Sequence, residues 1–424
     1  MTKKQSLKLQ RLPDSIYSIR FLNVKKAWIV YNDLIRTLHI IEKEGSPKEI
    51  ILDFSELSGS VYSSSATSVS GIIDFFRRRN GWKFSFAART PNSYLGTTAL
   101  NNPLSASDEK EVIISELFDR VIRFECQDDA TFVSNAIIRR LKRTVECENG
   151  VLEGLSWCMN EILENVFIHS GANCGYIMVQ VHNRKKVVNV SVFDTGCGLF
   201  KSLAKSDEFR PANEMESIKM AVEKGVTENR QLGQGNGMYG LGKIIKENKG
   251  HLLISTGHCS IEYDYETGKE TEREGAPILS KENLGTRIDF TIQYQRKTDI
   301  IKALDGYKPY EVLERDLEDI ELEDGSVLYK VLENAREDVG SRSSGKAIRT
   351  ELFNLAKTTP KTIYLDFSGI DIITSSFADE MIGKMVSLIG FSQFSCRFRI
   401  IHANEYVSAS IDRAVAIRQK ELSV

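Results

Sequence analysis

Apolar and polar positions repeat along this chain at two distant places. Pro47-Lys48-Glu49-Ile50-Ile51-Leu52-Asp53-Phe54-Ser55 matches Pro360-Lys361-Thr362-Ile363-Tyr364-Leu365-Asp366-Phe367-Ser368 at seven of nine positions, at an offset of 313 residues. Short runs rich in Ile, Leu, Tyr and Phe predict buried strands. A serine cluster follows each run, Ser63-Ser64-Ser65 and Ser375-Ser376. Helical patterning comes next, Val69 to Arg79 in the first copy and Phe377 to Leu388 in the second. Each copy therefore reads as strand, loop and helix, with serine hydroxyls capping the helix N-terminus.

Between the copies the pattern changes. Trp157 to His169 carries Ile162, Leu163, Val166 and Phe167 at helical spacing. Val187 to Phe193 carries Val188, Val190, Val192 and Phe193, a strand ending at Asp194. A glycine-rich stretch leads into a helix over Lys243 to Lys249, and Leu284 to Phe290 reads as a further strand. Beyond it, Glu311 to Asp324 holds eight carboxylates against the single Arg315. Leu313, Leu317 and Ile320 recur there at helical spacing, which predicts an amphipathic connecting helix stopped by Gly325. The expected fold class is α/β (α+β): a central α/β sandwich with a small α/β unit at each end.

Composition narrows the function. With 424 residues the chain has room for several cores. Its 41% apolar and 27% charged residues are those of a globular protein. A formal charge of −2 provides no global basic field, so no nucleic-acid partner is expected. Arg77-Arg78-Arg79 reads as the solvent end of a helix, with a phosphate contact as the other reading. The seven cysteines stand singly and form no Cys-x-x-Cys pair, which argues for reduced thiols and against a zinc site. No segment approaches the ~18 to 20 apolar residues of a membrane helix. A cytoplasmic protein without a membrane partner is the expectation.

Three segments carry candidate chemistry. Glu161, Asn165 and His169 are spaced i, i+4, i+8 and share one helix face. Asn165 can offer an amide oxygen to Mg²⁺, and Glu161 can take a proton from a nucleophile beside a γ-phosphate. A solvent-facing polar stripe would explain an isolated Glu-x-x-x-Asn equally well. Glu164 lies off this face and is given no role. Asp194, at a strand end, can accept the hydrogen bond of an adenine amino group, while Gly196 and Gly198 allow close approach to a flat base. A plain β-turn also accounts for Asp-x-Gly-x-Gly. Gly233, Gly235, Gly237, Gly240 and Gly242 fall within ten residues ahead of a helix. Backbone N–H groups so placed bind anions; a flexible surface loop is the alternative. Thr286 opens the last strand.

In this order and on these elements, the set resembles the GHKL ATPase superfamily of gyrase, the heat-shock chaperone, histidine kinases and mismatch-repair ATPases. The resemblance implies ATP and Mg²⁺ as cofactors. It makes Glu161 the general base, Asn165 the Mg²⁺ ligand and Asp194 the adenine reader, with Gly196 and Gly198 shaping the base pocket. Gly233, Gly235, Gly237, Gly240 and Gly242 would cradle phosphate, His169 would join the nucleotide-binding residues, and Thr286 would support the adenine pocket through water. Leu199 to Leu232, including Lys224-Gly225-Val226-Thr227, would be the lid.

Within the superfamily, Ile168 stands where histidine kinases usually place a lysine. Asn165-Val166-Phe167-Ile168-His169-Ser170 is more similar to the bacterial anti-sigma serine kinases. His39, followed by Ile40 and Ile41, lacks the neighbours of a phosphoacceptor histidine. Leu365-Asp366-Phe367-Ser368-Gly369-Ile370 with Thr374-Ser375-Ser376-Phe377 resembles the STAS fold of anti-anti-sigma proteins, whose phosphorylated serine falls on Ser375. Thr374 and Phe377 depart from that pattern, so Thr374-Ser375-Ser376-Phe377-Ala378-Asp379-Glu380 is closer to a STAS-like family of unknown function. Ser375 is then read first as a helix N-cap. The N-terminal copy is looser, with Tyr62 at the aspartate position and Ser63 as acceptor.

The implied division is a degenerate STAS-like domain over 1–127, the GHKL ATP-binding domain over 128–296, the acidic connecting helix over 297–325 and a STAS-like domain over 326–424. Three functions fit: a serine/threonine kinase acting on STAS-like protein partners, an ATPase working as a conformational switch, and an ATP-sensing scaffold. The resemblance also allows a homodimer.

Overall fold

The computed structural model describes residues 6–22, 27–56, 62–87, 97–205, 209–223, 225, 237–307, 319–336 and 338–422. The chain forms two compact units. One comprises Met1–Ile137, Trp157–Gln293 and Ile300–Tyr307; the other comprises Ile138–Ser156, Tyr294–Asp299 and Lys308–Val424. Both mix helix and strand, in keeping with the predicted α/β class.

The first unit opens with a four-stranded sheet in the order β1 (Leu7–Leu12), β2 (Ile16–Phe21), β3 (Glu49–Asp53), β4 (Phe84–Ala87). β1 and β2 are antiparallel, and the other pairs are parallel. α1 (Ala27–Glu44) precedes β3, and α2 (Ser63–Asn80) connects β3 to β4. Gly81, at φ +67°, ends α2 in the left-handed conformation that favours glycine.

An eight-stranded sheet follows, in the order β11-β10-β9-β12-β8-β7-β6-β5. Its strands are β5 (Leu104–Ser105), β6 (Ile122–Phe124), β7 (Gly175–His182), β8 (Val187–Asp194), β9 (His251–Thr256), β10 (Cys259–Asp264), β11 (Lys269–Arg273) and β12 (Thr286–Gln293). Around it run α3 (Gln127–Thr144), α4 (Val151–Ile168), α5 (Gly198–Leu203), α6 (Glu214–Ala221) and α7 (Gly237–Glu247). The central strands are buried on both faces. Tyr176, Met178 and Phe193 join a single core with Leu34, Ile50, Leu52, Ile72 and Phe76 of the N-terminal layer. The alternate residues Ile177, Val179, Val190 and Val192 are also buried and, by strand alternation, face the opposite side.

α2 begins six residues earlier than its apolar pattern indicates. Ser63, Ser65, Thr67, Ser68, Ser70 and Gly71 are all buried where α2 lies on β7 and β8. Small residues let helix and sheet approach closely. A Cβ at Gly71 would sit 2.5 Å from Cε1 of Phe193. The hydroxyls of Thr67 and Ser68 return hydrogen bonds to the carbonyls of Ser63 (2.9 Å) and Ser64 (2.7 Å), so these polar groups are satisfied within the helix. The expected serine cap is absent: Tyr62 is the N-cap and its side chain makes no capping bond.

The second unit has three parallel strands in the order β13 (Val327–Lys330), β14 (Ile363–Asp366), β15 (Phe398–Ile401). Against them pack α8 (Arg342–Thr358), α9 (Ser375–Ala378), a π-helical turn over Asp379–Gly383, α10 (Lys384–Ile389) and α11 (Glu405–Leu422). Residues 138–156 also belong here. Asn354 holds them with three bonds of 2.8 Å: its amide donates to Lys142 O and Val145 O, and its oxygen accepts from Cys147 N–H.

The nine-residue repeat gives one local structure twice. β3 and β14 each sit between two parallel neighbours. At the end of each, an aspartate accepts the N–H two residues on, at 2.9 Å: Ser55 to Asp53 and Ser368 to Asp366. Of the predicted acidic helix, residues 308–318 lie outside the described residues. Its described end is turn and an isolated bridge at Glu321, not helix.

Candidate functional site

The site is built from strand ends and two helices of the first unit. β8 carries Asp194 to the edge of the sheet, where it faces Gly175 of β7 and Thr286 of β12. Thr286 in turn faces Thr256 of β9. Beyond Asp194 the chain turns sharply. Gly196 N–H donates to Asp194 Oδ1 at 2.8 Å, closing the turn.

This turn is fixed from several sides. Cys197 N–H donates to Ser170 O at 2.8 Å, and Gly285 N–H donates to Gly196 O at 3.0 Å. Asn283 Nδ2 donates to Thr195 O at 2.6 Å. The Thr256 hydroxyl accepts from Leu199 N–H and donates to Gly285 O, both at 3.1 Å. Both pocket glycines are sterically required. A Cβ at Gly196 would sit 2.5 Å from Ser170 Oγ; one at Gly198, where φ is +81°, would sit 2.7 Å from Thr256 Oγ1. Ser170, Thr256 and Asn283 were not predicted from sequence. The pairing of β12 with β8 and β9 brings Thr256 and Asn283 to the Asp194 turn, and the end of α4 brings Ser170.

Asp194 is 6% exposed. Burial raises its carboxyl to about 7, against the opposing pull of the Gly196 N–H and the Ser170 hydroxyl. Thr286 is buried beside it.

α4 supplies the other end. Glu161 is partly buried and is raised to about 7, first by desolvation and then by the nearby Glu164 carboxylate. It lies against the start of α7, where a Cβ at Gly237 would overlap its carboxylate. Asn165 follows one turn later, partly exposed. Its backbone carbonyl accepts from His169 and Ser170 N–H at 3.1 and 3.3 Å. α4 ends at Ile168, so His169 lies just past the helix, where its carbonyl accepts a long Sγ contact from Cys197.

Among the described residues no group of three or more His, Cys, Asp or Glu is placed to hold a metal. A magnesium ion here would use Asn165 oxygen with phosphate and water oxygens, a set that suits this hard cation.

The glycine cluster divides into different roles. Gly233 and Gly235 lie outside the described residues. Gly237 opens α7, where N–H groups remain free of the helix ladder. Gly240 is a packing position: a Cβ there would sit 2.7 Å from Trp157 Cζ3 and 2.8 Å from Leu304 Cδ2. Gly242 lies in the helix interior, where its N–H belongs to the ladder, so the expected cradle contracts toward Gly237.

Of the expected lid over 199–232, α5 and α6 are described and are docked. α6 is capped by Asn213 and packs on β9 and β10. Its Glu214 accepts from His258 N–H at 2.6 Å. Residues 206–208, 224 and 226–236 lie outside the described set.

The two candidate acceptor serines differ. Ser63 is 4% exposed at the start of α2, and its N–H donates to Gln180 Oε1 of β7 at 2.7 Å. Ser375 is exposed at the first position of α9. The N-cap there is Thr374, whose hydroxyl accepts from Phe377 N–H at 3.1 Å and donates to Gly340 O at 2.7 Å. The capping role expected for Ser375 therefore belongs to its neighbour. Gly340 to Lys346 has the spacing of a phosphate loop, but α8 has already begun at Arg342. Gly345 instead serves close packing, 2.8 Å from Phe377 O at its Cβ position.

Among the described residues no helix is long and apolar enough to cross a membrane. No curated protein matches the sequence. Among solved structures, one match is the 43K ATPase domain of Thermus thermophilus gyrase B in complex with an aminocoumarin. It is 18% identical, covers 43% of this chain and 43% of that one, and has a TM-score of 0.20. A second, full-length ShkA in complex with AMPPNP, is 13% identical over 82% of this chain and 70% of that one, with a TM-score of 0.20. Superpositions at that level establish no shared fold. Residues 344–408 match the STAS-like domain of unknown function (DUF4325), so the C-terminus of the chain carries a STAS-like domain.

Proposed function

We propose that the chain is an ATP-binding regulatory protein of the GHKL type. In this reading it acts as a serine/threonine kinase of the anti-sigma kind on STAS-like protein modules. The observation that carries it is the placement of Glu161, Asn165 and Asp194. α4 runs from Glu161, against Gly237 at the start of α7, toward Ser170, which follows the helix end and lies beside the Asp194 turn. The helical stretch from Glu161 to Ile168, at ~1.5 Å per residue, puts roughly 10 Å between phosphate chemistry and base recognition, the scale of a nucleoside triphosphate.

In this reading Asp194 accepts from the adenine amino group, with Gly196, Gly198 and Thr286 shaping the pocket and His169 beside it. Asn165 holds Mg²⁺ when that ion is bound. Glu161 takes the proton of a serine hydroxyl as its oxygen bonds to the γ-phosphorus and ADP leaves. A carboxyl near 7 suits that role at neutral pH. Ser375, exposed and free of the capping role, is the acceptor this reading favours; Ser63 is buried at the start of α2. Phosphate at Ser375 would add charge at a helix N-terminus and switch a protein interface. The functional segments proposed are 1–127, 128–296, 297–325 and 326–424, the first also STAS-like.

One second reading has support. Thr374 and Phe377 beside Ser375 break the acceptor pattern, which favours an ATPase switch in which Glu161 activates water. Incubation with γ-labelled ATP separates the readings. Label on Ser375 supports the kinase, free phosphate alone supports the switch, and neither leaves an ATP sensor. Asn165→Ala is expected to abolish Mg²⁺-dependent ATP binding. Unchanged calorimetric affinity in that variant overturns the site assignment.

A further inference from the structure

Two neighbouring rows of residues cross the ends of four adjacent inner strands, β7, β8, β12 and β9. The front row is Gly175, Asp194, Thr286 and Thr256, at the candidate base site. The next row, one residue further into each strand, is Tyr176, Phe193, Arg287 and Ser255. Strand alternation turns this second row to the opposite face, toward the N-terminal layer.

The N-terminal layer grips that row residue by residue. Tyr176 hydroxyl donates a short hydrogen bond to Asp74 of α2. The Phe193 ring lies under Gly71 and meets the Tyr31 ring edge-on, with centroids 6.0 Å apart. Arg287, 1% exposed, lies 5.6 Å from the Tyr31 ring centroid and reaches Ser68 Oγ at 3.4 Å. Arg287 Nη2 donates to Ser255 Oγ at 3.3 Å, and its Nε lies 3.0 Å from Asp289 Oδ2. An arginine this deeply buried is costly unless its surroundings stay in place. Separating α1 and α2 from the sheet would strip Arg287 of Tyr31 and Ser68 together.

Each gripped residue is the chain neighbour of a front-row residue, so the strand ends cannot shift without the N-terminal layer shifting. We propose that α1 and α2 are the positioning element of the Asp194 site, so that docking of the N-terminal layer and binding of the nucleotide are coupled. This rests on the ATP reading of the site. The coupling is reciprocal: ATP tightens docking, and loosening the docking weakens ATP. Tyr31, Ser68 and Gly71 act through Phe193 and Arg287, and touch no nucleotide themselves.

The test uses the full chain. Hydrogen exchange of α2 amides is measured with and without ATP and magnesium, and ATP and GTP affinities are measured by calorimetry. In the wild-type protein, saturating ATP is expected to slow α2 exchange about tenfold or more. Gly71→Val, which wedges α2 from Phe193, is expected to weaken ATP about tenfold and to lower the ATP-to-GTP preference. Adding Phe193→Leu, which makes room for the valine, is expected to restore both. General loss of fold would lower both affinities without changing their ratio. ATP binding that leaves α2 exchange unchanged overturns the coupling, and so does a Gly71→Val protein with open α2 and unaltered affinity. A wild-type chain that binds no ATP at all overturns the nucleotide reading, and the coupling falls with it.

Discussion

Replacing Asp194 by asparagine separates the cost of this carboxylate from its purpose. Burial lifts Asp194 from 3.8 to about 7. At ~1.36 kcal/mol per pH unit, this places the cost of ionising it in the folded protein at about 4 kcal/mol. The folded pKa lies above the unfolded one, so as pH rises the unfolded chain loses its proton first. Stability attached to this group is therefore intact below about pH 4, falls between about pH 4 and pH 7, and is level above that. Asparagine keeps the shape, and its oxygen can still accept the 2.8 Å bond from Gly196 N–H. The Asp194→Asn protein should match the wild type near pH 4 and gain about 1.4 kcal/mol per pH unit up to about pH 7. Urea unfolding followed by tryptophan fluorescence measures this cleanly, because Trp28, Trp82 and Trp157 all lie in the first unit. The same variant should lose adenine recognition, which would explain why an expensive carboxylate is kept. A stability difference that stays constant from pH 4 to pH 8 refutes the reasoning, since it would mean that Asp194 ionises as freely folded as unfolded.

Two further outcomes are expected from the geometry. Glu161→Gln should retain ATP affinity and lose turnover, and wild-type turnover should rise through about pH 7 as the Glu161 carboxyl, raised to about 7 by burial, gives up its proton; a pH-independent rate between 6 and 8 contradicts that role. Asn354→Leu should destabilise the second unit by about 2–4 kcal/mol, because it orphans the buried Cys147 N–H and two carbonyls; hydrogen exchange over 342–358 should accelerate while the tryptophan signal of the first unit holds.

Much of the candidate site is readable without coordinates because local geometry alone places its residues. Glu161 and Asn165 need only a helix, and Asp194 needs only a strand end followed by glycines. The hidden part depends on contacts between distant segments. Thr256 reaches the Asp194 turn through strand pairing, and Ser170 reaches it from the end of α4 through the Cys197 N–H. Gly240 looks like part of a phosphate loop, yet its lack of a side chain serves Trp157 and Leu304, which helical spacing alone does not reveal. Arg287 reads as an ordinary polar position in an alternating strand, and its burial arises from α2 covering that face. The serine run before Val69 has no apolar period because the helix there packs through small residues rather than large ones.

The two copies of the repeat show how the same local code reaches different ends. Asp53 and Asp366 close the same turn at the same distance, at the end of the same central strand position. The helix downstream of each turn sets the difference. In the first copy Ser65, Ser68 and Gly71 make a helix with no bulk on the sheet-facing side, so it can lie flush on β7 and β8 with its hydroxyls bonded inward. In the second copy Phe377, Met381 and Met385 are large and fully buried, and they fill the core of their own small unit. That core holds α9 in place and leaves its first residue, Ser375, in solvent. A hydroxyl can serve a transferable switch only where the helix that bears it is anchored by other residues. The second copy meets that condition, while the first has committed its serines to the contact that holds the Asp194 strand.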